Sequence, residues 1–468
     1  MSEYKSLLKD SGIFAIGSFG SKLITLLFVP LYTSCLSPEE YGIADLITMT
    51  VSLLFPILTV SISEAILRFC YQEEIKKESI ISIFVVILFV ASIFNLLVAL
   101  AIGYVIPVIS NYYYYYIALF LLTAAETCLA NYLKGCQRIK EFALQGIIHT
   151  SVIIVSNILL LLVFNMGLNG YFLSMIFAYV VTIVYIYIAG DLRTCHFSFR
   201  LDSSLLKDML KYSLPLVPAG MAWWVNISAD KYMISNMLSV SDVGIYSVAH
   251  KIPTILTTIT GLFLSAWQLS AIKNVNTPDY KSLFSNIVKS VNCLLIVGGA
   301  FLILTCQLLS KILFKNDFFV AWEVVPLLTV ASCFSTIAGT LASAFTAAKK
   351  TNILFISTLF GAIVNIIANY FLIHLLGTIG AAISTSLSFF VMVVVRYIMM
   401  SKRLIKLDVN VVKDSIAFAL LFGESILIFY YNNKFYLLAS LFAVSLTILY
   451  SKDISWLSKS LIRLYRSK

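Results

Sequence analysis

Long apolar runs, separated by short polar breaks, fill most of this 468-residue sequence. Most of the runs reach the ~20 residues that a helix needs to cross a hydrocarbon layer about 30 Å thick. Only 12% of the residues are charged, against about 25% in soluble globular domains. Because a chain inside lipid must satisfy its own backbone hydrogen bonds, the sequence predicts an all-α integral membrane protein with about 14 transmembrane helices. The runs lie near residues 11–35, 42–67, 80–106, 113–133, 142–164, 171–190, 213–236, 244–271, 283–308, 322–347, 353–376, 380–400, 411–431 and 435–450.

Lysine and arginine are distributed unevenly between the breaks. With the N-terminus on the cytoplasmic side, 25 of the 33 basic residues fall in cytoplasmic segments, five fall within spans and three fall outside. Short cytoplasmic loops accumulate basic residues, so both termini are expected to be cytoplasmic. The net charge of +10 then reflects this orientation and attraction to anionic membrane lipids. It gives no reason to expect nucleic-acid binding.

Two short motifs recur at similar distances along the chain. "LSPEEYGIADL" at 36–46 is echoed by "LSVSDVGIYSV" at 238–248, and "MGLNGYFLS" at 166–174 by "LGTIGAAIS" at 376–384. The echoes predict two six-helix lobes, and an even number of spans per lobe implies a pseudo-two-fold axis along the membrane normal. The expected organisation is an N-terminal lobe at 1–190, a cytoplasmic linker at 191–207, a C-terminal lobe at 208–408, an additional helix pair at 409–451 and a basic cytoplasmic tail at 452–468.

Three lysines at membrane depth are the first candidate site residues: Lys22, Lys231 and Lys251. A charge at the centre of a spanning helix costs about 2.5–3.5 kcal/mol on insertion scales, so such residues face partners or water. Lysine ammonium groups act as point charges for phosphate, which favours an anionic cargo in a cleft between the lobes. The alternative is neutralisation inside the protein, by Asp230 for Lys231 and by Asp45, Glu126 or Glu424 for Lys22.

Other polar residues recur at helical spacing within the spans and predict polar stripes facing the same cleft. Asp45, Glu126 and Asp230 leave coupling to a cation possible in chemical terms. Packing or an interfacial anchor is the favoured role of Trp223, and stacking on a sugar ring is the alternative. Glu64 precedes Arg68 by four residues, a spacing that favours an ion pair. The full set for the cavity is Asn226, Asn365, Asn369, His250, Asp45, Glu126 and Asp230.

No catalytic motif accompanies these features. The sequence has no HExxH, Walker A or GxSxG pattern, and its longest external loop, near 309–321, has about a dozen residues. We therefore expect a protein that is not an enzyme and needs no cofactor, and that draws on an ion gradient, the membrane potential or the gradient of its cargo.

Three segments resemble a known family. "PLYTSCLSPEEYGIADL" at 30–46, "SEAILRF" at 63–69 and "NISADKYMISNMLSVSDVGIY" at 226–246 are similar to polysaccharide biosynthesis proteins, the oligosaccharide flippases of the multidrug/oligosaccharidyl-lipid/polysaccharide (MOP) exporter superfamily. The resemblance implies that undecaprenyl-diphosphate-linked oligosaccharide moves from the cytoplasmic to the outer leaflet by alternating access. It also implies a monomer in the cytoplasmic membrane of a bacterium, working with membrane lipids and with glycosyltransferases and a polymerase of the same pathway.

The resemblance also implies roles for individual residues. Lys22 matches a basic group in the first helix, and Asp230 with Lys231 matches an Asp-basic pair, whereas Lys251 is a further cationic candidate. Lysine replaces the arginine common at such places, so bidentate clamping of phosphate is lost. Two alternatives stay open: a cation-coupled multidrug antiporter of the MATE type, although its usual first-helix acid is missing between Gly12 and Leu36, and a non-transporting subunit of an envelope-polysaccharide assembly.

Overall fold

The structure is a computed structural model that describes residues 26–72, 74–105, 110–193, 202–275, 277–431 and 436–455. Every regular element in these ranges is a helix, which confirms the all-α prediction. The helices are α1 Val29–Cys35, α2 Pro38–Leu58, α3 Ile62–Cys70, α4 Lys77–Val105, α5 Tyr113–Gly135, α6 Ile139–Asn157, α7 Gly167–Ala189, α8 Ser203–Ser213, α9 Leu216–Met237, α10 Val240–Ala249, α11 Pro253–Asn274, α12 Tyr280–Leu313, α13 Val325–Ala347, α14 Thr351–Leu376, α15 Thr378–Arg403, α16 Val411–Tyr431 and α17 Tyr436–Leu449. A π-helical segment, Ile158–Val163, extends α6, and a 3₁₀ helix, Asn316–Glu323, precedes α13.

Within these ranges, nine helical segments are long and apolar enough to cross a bilayer. They are α2, α4 up to Ala101, α5, α6 with its π-helical extension, α7, α12, α13, α14 and α15. Their large apolar side chains are often exposed, as at Leu97 on α4 and Phe371 on α14, which is the surface that lipid covers. The chain is therefore a multi-pass helical membrane protein, and the count of fourteen spans remains a prediction.

Contacts divide the chain into two compact units. Unit 1 comprises Cys35–Trp224, and unit 2 comprises Leu26–Ser34 together with the chain from Val225 onward. In unit 1, α8 packs on α3 and α4 through buried Leu205 and Met209. In unit 2, α15 packs against both α13 and α14. The lobe boundaries expected from the sequence stay a prediction.

The first repeated motif forms the same helix start in both units. The Ser37 hydroxyl accepts the backbone N–H of Glu40 at 3.2 Å, and the Glu40 carboxylate accepts the backbone N–H of Ser37 at 2.8 Å, which completes a capping box on α2. Likewise, the Ser239 hydroxyl accepts the N–H of Asp242 at 3.1 Å at the start of α10. Because the first N–H groups of a helix lack internal partners, the serine and the acid three residues later have a structural purpose. The helix begins at Pro38, directly after the turn that interrupts the apolar sequence.

The second repeated motif forms matching tight turns. Gly167 and Gly377 have positive φ angles of 52° and 60°, which favour glycine. Three residues later, a Cβ on Gly170 would lie 3.1 Å from the Leu160 carbonyl oxygen, and one on Gly380 only 1.9 Å from the Leu372 carbonyl oxygen. The serines that complete the motif, at 174 and 384, each donate to the carbonyl of their glycine at 2.8 Å. The repeat thus preserves a backbone geometry.

Candidate functional site

Asp230 lies at the centre of a buried polar cluster in unit 2. It occupies the second half of α9 and is only 1% exposed. Its Oδ2 accepts hydrogen bonds from the Tyr246 hydroxyl at 2.8 Å and from the Thr385 hydroxyl at 3.2 Å. Its Oδ1 accepts the backbone N–H of Lys231 at 2.9 Å. Donors from α9, α10 and α15 therefore stabilise one carboxylate, and such charge-assisted bonds are stronger than bonds between neutral groups.

One turn earlier on α9, Asn226 forms hydrogen bonds to both α14 and α15. Its Nδ2 donates to the Thr358 carbonyl at 3.0 Å, and its Oδ1 accepts the Ser388 hydroxyl at 3.2 Å. A Cβ on Gly361 would lie 2.7 Å from Asn226 Oδ1, so only glycine lets α14 approach this closely. Asn226 therefore fixes the register of α9 against α14 and α15.

That register places the two asparagines of α14 near Asp230. Gly361 lies beside Ser388 of α15, and the two helices meet at the turn at Gly377. About one helical turn closer to Gly377, Asn365 follows Gly361 on α14 and Thr385 precedes Ser388 on α15. Asn365 and Thr385 therefore lie at similar heights along the two helices.

Both asparagines are fully buried, and Asn369 Nδ2 donates to Asn365 Oδ1 at 3.0 Å. Within the described ranges, Asn365 Nδ2 and Asn369 Oδ1 have no hydrogen-bond partner. We call Asn226, Asp230, Asn365, Asn369, Thr385 and Ser388 the unit 2 cluster. It combines a carboxylate with hydroxyl and amide oxygens, the hard ligands that small cations prefer.

Lys231 and His250 border the unit 2 cluster. Lys231 is buried, and its charge acts on the adjacent Asp230. The His250 ring packs edge-on against Tyr246 with centroids 4.9 Å apart. Since Tyr246 donates to Asp230, His250 is one side chain removed from the carboxylate.

Lys251 lies at a break in the helix path of unit 2. α10 ends at Ala249 and α11 begins at Pro253, because proline has no N–H to continue a helix but is tolerated in its first turn. The Lys251 backbone N–H donates to the Val248 carbonyl at 2.9 Å. The side chain is half-buried, and its ammonium group contacts no carboxylate or hydrogen-bond acceptor in the described ranges.

Arg396 is a buried cation to which the sequence assigned no role. It is 2% exposed on α15. Its Nε donates to the Ser357 hydroxyl at 2.9 Å, its Nη2 to the Thr358 hydroxyl at 2.9 Å and its Nη1 to the Ala338 carbonyl at 2.6 Å. Across the described residues, Arg396 forms no ion pair. The guanidinium group therefore bonds α15 to both α13 and α14.

Unit 1 holds a different set of polar residues on α5, α6 and α7. The Glu126 side chain lies close to Gln145. One turn further along α6, the His149 Nδ1 lies 3.3 Å from the Thr182 hydroxyl, and its ring packs edge-on against Tyr179. We call these five residues the unit 1 cluster. Glu126 and His149 are half-buried, whereas Asp230 is fully buried.

The remaining predicted residues are not members of either cluster. Asp45 is half-buried on α2, and Trp223 is partly exposed on α9. Lys22 lies outside the described residues.

The predicted ion pair between Glu64 and Arg68 does not form. Both side chains are exposed, where such a pair is worth only about 0.3–0.5 kcal/mol. Instead, the Arg68 guanidinium lies 4.5 Å above the Tyr212 ring.

The sequence profile of the family described as "Polysaccharide biosynthesis protein" matches residues 7–268, more than half of the chain. The chain belongs to this family. An uncharacterized membrane protein of Methanocaldococcus jannaschii is 22% identical over 428 residues, which cover 86% of this chain and 100% of that protein.

Two solved structures share the fold. The lipid II flippase MurJ in an inward closed conformation matches with a TM-score of 0.69 at 17% identity, over 96% of this chain and 99% of that one. An inward-facing multidrug resistance MATE family transporter of the MOP superfamily matches with a TM-score of 0.64 at 15% identity, over 82% and 95%. The family is thus that of polysaccharide biosynthesis proteins, and the fold is the one that these two structures have.

The sequence identified the polar faces of α9 and α14 but missed their partners. Tyr246, Thr385 and Ser388 belong to other helices, and nothing in their local sequence links them to Asp230 or Asn226. Arg396 did carry a signal, since it is a lone arginine inside "VVVRYIMM", and an ionisable residue within a span is by default a functional candidate.

Proposed function

We propose that this protein is a flippase that moves undecaprenyl-diphosphate-linked oligosaccharide from the cytoplasmic to the outer leaflet by alternating access, for cell-surface polysaccharide biosynthesis. The protein is then a carrier and not an enzyme. It works in the cytoplasmic membrane of a bacterium, with both termini in the cytoplasm.

The observation that carries this proposal is that the Lys251 ammonium group contacts no acceptor among the described residues. A half-buried ammonium group without a partner, at a helix break in a membrane protein of this family, is chemically available to an anion. Lysine acts as a point charge and needs no planar alignment with phosphate. We therefore assign Lys251 to the diphosphate group of the cargo, with Lys22 as its expected companion and Lys231 as a weaker contributor because Asp230 adjoins it.

We assign cation coupling to the unit 2 cluster. Asp230 supplies the negative charge, and Thr385, Asn365 and Asn369 supply neutral oxygens on two further helices. The unpartnered Oδ1 of Asn369 supports this role, because a buried acceptor left unpaired costs about 1–3 kcal/mol and a bound cation would satisfy it.

The test is transfer of a fluorescent lipid-linked oligosaccharide between leaflets of vesicles that contain the purified protein. We expect Lys251→Ala to slow transfer at least tenfold, and Lys251→Arg to preserve it because the charge remains. Lys22→Ala is expected to act in the same way. Lys311→Ala is the matched control, since Lys311 is exposed at the end of α12 and loses the same charge. Normal transfer by both alanine variants at 251 and 22 would remove the cargo role, and no transfer by the wild type would favour a non-transporting subunit.

A MATE-type antiporter is the second candidate, and the buried carboxylate of Asp230 favours it. This function predicts that the wild type moves a cationic dye against a sodium or proton gradient, and that Asp230→Asn abolishes the movement. A protein that moves the lipid-linked sugar but no dye excludes this candidate.

A further inference from the structure

Glu424, in the C-terminal helix pair, has no part in the function proposed above. It lies on α16 and is 0% exposed, and neither of its carboxyl oxygens has a hydrogen-bond partner among the residues that the structure describes. Asp414, on the same helix, provides the contrast. Its carboxylate accepts hydrogen bonds from the Asn292 amide at 2.8 Å and from the Tyr450 hydroxyl. One acid of α16 is therefore held by donors, and the other is not.

Among the described helices, those that pack against α16 place no basic side chain beside Glu424. α16 packs against α12, α13 and α17. α12 brings the buried Cys306 thiol close to Glu424, and its nearest base, Lys311, is exposed at the helix end. α13 contributes Cys333 as its only titratable group, and α17 has no acid or base besides Tyr436 at its start. On α16 itself, the other charged residues are Lys413 and Asp414, at the opposite end of the helix.

An ionised carboxylate is not stable in these surroundings. Removing an unpaired ion from water costs several kcal/mol even after the protein relaxes, and burial without hydrogen bonds adds to that cost. A neutral carboxylic acid avoids the free-energy cost of burying a charge. Leaving its polar atoms unpaired then costs about 1–3 kcal/mol.

We infer that Glu424 is a proton-binding site: its carboxyl group holds a proton while α16 packs against α12, α13 and α17, and releases it to water only when that packing opens. Release breaks the carboxyl O–H bond and leaves a carboxylate, and the proton passes to a water molecule that the opening admits. The site does not depend on which cargo the protein carries.

α16 has room for such a movement. A cavity of about 540 Å³ borders the N-terminal half of α16, and Phe418, Phe422, Phe334 and Phe390 are among the side chains that line it. Phe334 and Phe418 are in contact, with ring centroids 4.8 Å apart, but the empty space beside them leaves part of this face of α16 without close packing. In the part of the chain that the structure describes, the hydrogen bond from α16 to α13 near Glu424 is that of the Ser425 hydroxyl to the Pro326 carbonyl, and it is long at 3.4 Å.

Infrared spectroscopy tests the proton directly. In the difference spectrum of the purified wild type minus Glu424→Gln at neutral pH, we expect one C=O stretching band of a protonated carboxyl group. Glu39→Gln is the matched control, because Glu39 is exposed and its removal is expected to leave the band intact. Absence of the band from the wild type, or its persistence in Glu424→Gln, overturns the inference.

Cys306 reports on the opening. As the pH is raised until the band disappears, alkylation of Cys306, followed by mass spectrometry, is expected to accelerate at least tenfold more in the wild type than in Glu424→Gln. An equal acceleration in both proteins contradicts the link between proton release and opening.

If Glu424→Gln does not fold, the infrared measurement uses a different protein. This protein carries Glu126→Gln and is labelled with ¹³C at its glutamate carboxyl groups. A labelled protonated band then supports the site, and its absence overturns it. None of these measurements uses transport, so each result stands whether or not the flippase assay succeeds.

Discussion

The unit 1 and unit 2 clusters occupy halves that share their turns but not their polar interiors. Both halves contain the serine-capped helix start and the glycine turn of the two repeated motifs. In unit 2, however, a fully buried carboxylate accepts hydrogen bonds from donors on three helices, whereas Glu126 of unit 1 is half-buried and has Gln145 nearby. A repeat can therefore preserve backbone geometry while its two copies acquire different buried chemistry.

Burial decides how much each cluster contributes to stability. A fully buried polar group that loses its partner bears the whole desolvation penalty, and a half-exposed one regains water. Equivalent substitutions should thus have unequal effects in the two units, and the following measurements test this difference.

The largest effect is expected at the glycine turns. Gly380→Ala would place its Cβ 1.9 Å from the Leu372 carbonyl oxygen, against 3.1 Å between Gly170 and Leu160. We expect Gly380→Ala to lower the free energy of unfolding by more than about 3 kcal/mol, at the upper end of overpacking costs, and Gly170→Ala by about 1 kcal/mol. Unfolding of the detergent-solubilised protein measures both. Equal losses would show that the two turns are strained alike.

The second effect concerns the two acids. Asp230→Ala leaves the buried hydroxyls of Tyr246 and Thr385 without their acceptor, and we expect a loss of about 2–3 kcal/mol. Glu126→Ala is expected to cost less than about 1 kcal/mol because water reaches its site. The same unfolding measurement compares them, and a larger loss for Glu126→Ala would refute the burial argument.

The third largest loss of stability is expected where α14 comes close to α9 in unit 2. Gly361→Ala forces a methyl group to within 2.7 Å of Asn226 Oδ1 and 2.9 Å of Met392 Cε, and we expect a loss of about 1–2 kcal/mol. Gly339→Ala is the control, since nothing lies within 4 Å of its Cβ position. Alanine there should stabilise α13 by about 0.5–1 kcal/mol through its higher helix propensity.

The smallest effect is expected at the helix starts. Ser37→Ala and Ser239→Ala each remove the acceptor for a backbone N–H, and such N-cap losses cost about 1 kcal/mol. Thermal unfolding of the two variants should shift by similar amounts. A loss confined to one of them would mean that the repeated motif stabilises only one unit.

The sequence predicted the features that depend on local spacing. The apolar runs predicted the helical membrane fold, and the spacing of Asn226 with Asp230 placed both on one face of α9. The two glycine motifs predicted related halves, and their turns have matching geometry.

The sequence alone did not predict contacts between distant parts of the chain. Thr385 is 155 residues from Asp230, and Ser357 is 39 residues from Arg396, so no local pattern pairs them. The four-residue spacing from Glu64 to Arg68 permits an ion pair, but solvent competes for both charges and Tyr212 offers Arg68 a closer contact.

The three bonds of Arg396 have a mechanical consequence. They join a carbonyl of α13 and two hydroxyls of α14 to one side chain of α15, so sliding any of these helices past the others breaks a bond to a buried charge. During a transport cycle the three helices should therefore travel together as a rigid block. We expect bending at interruptions such as residues 250–252, between α10 and α11.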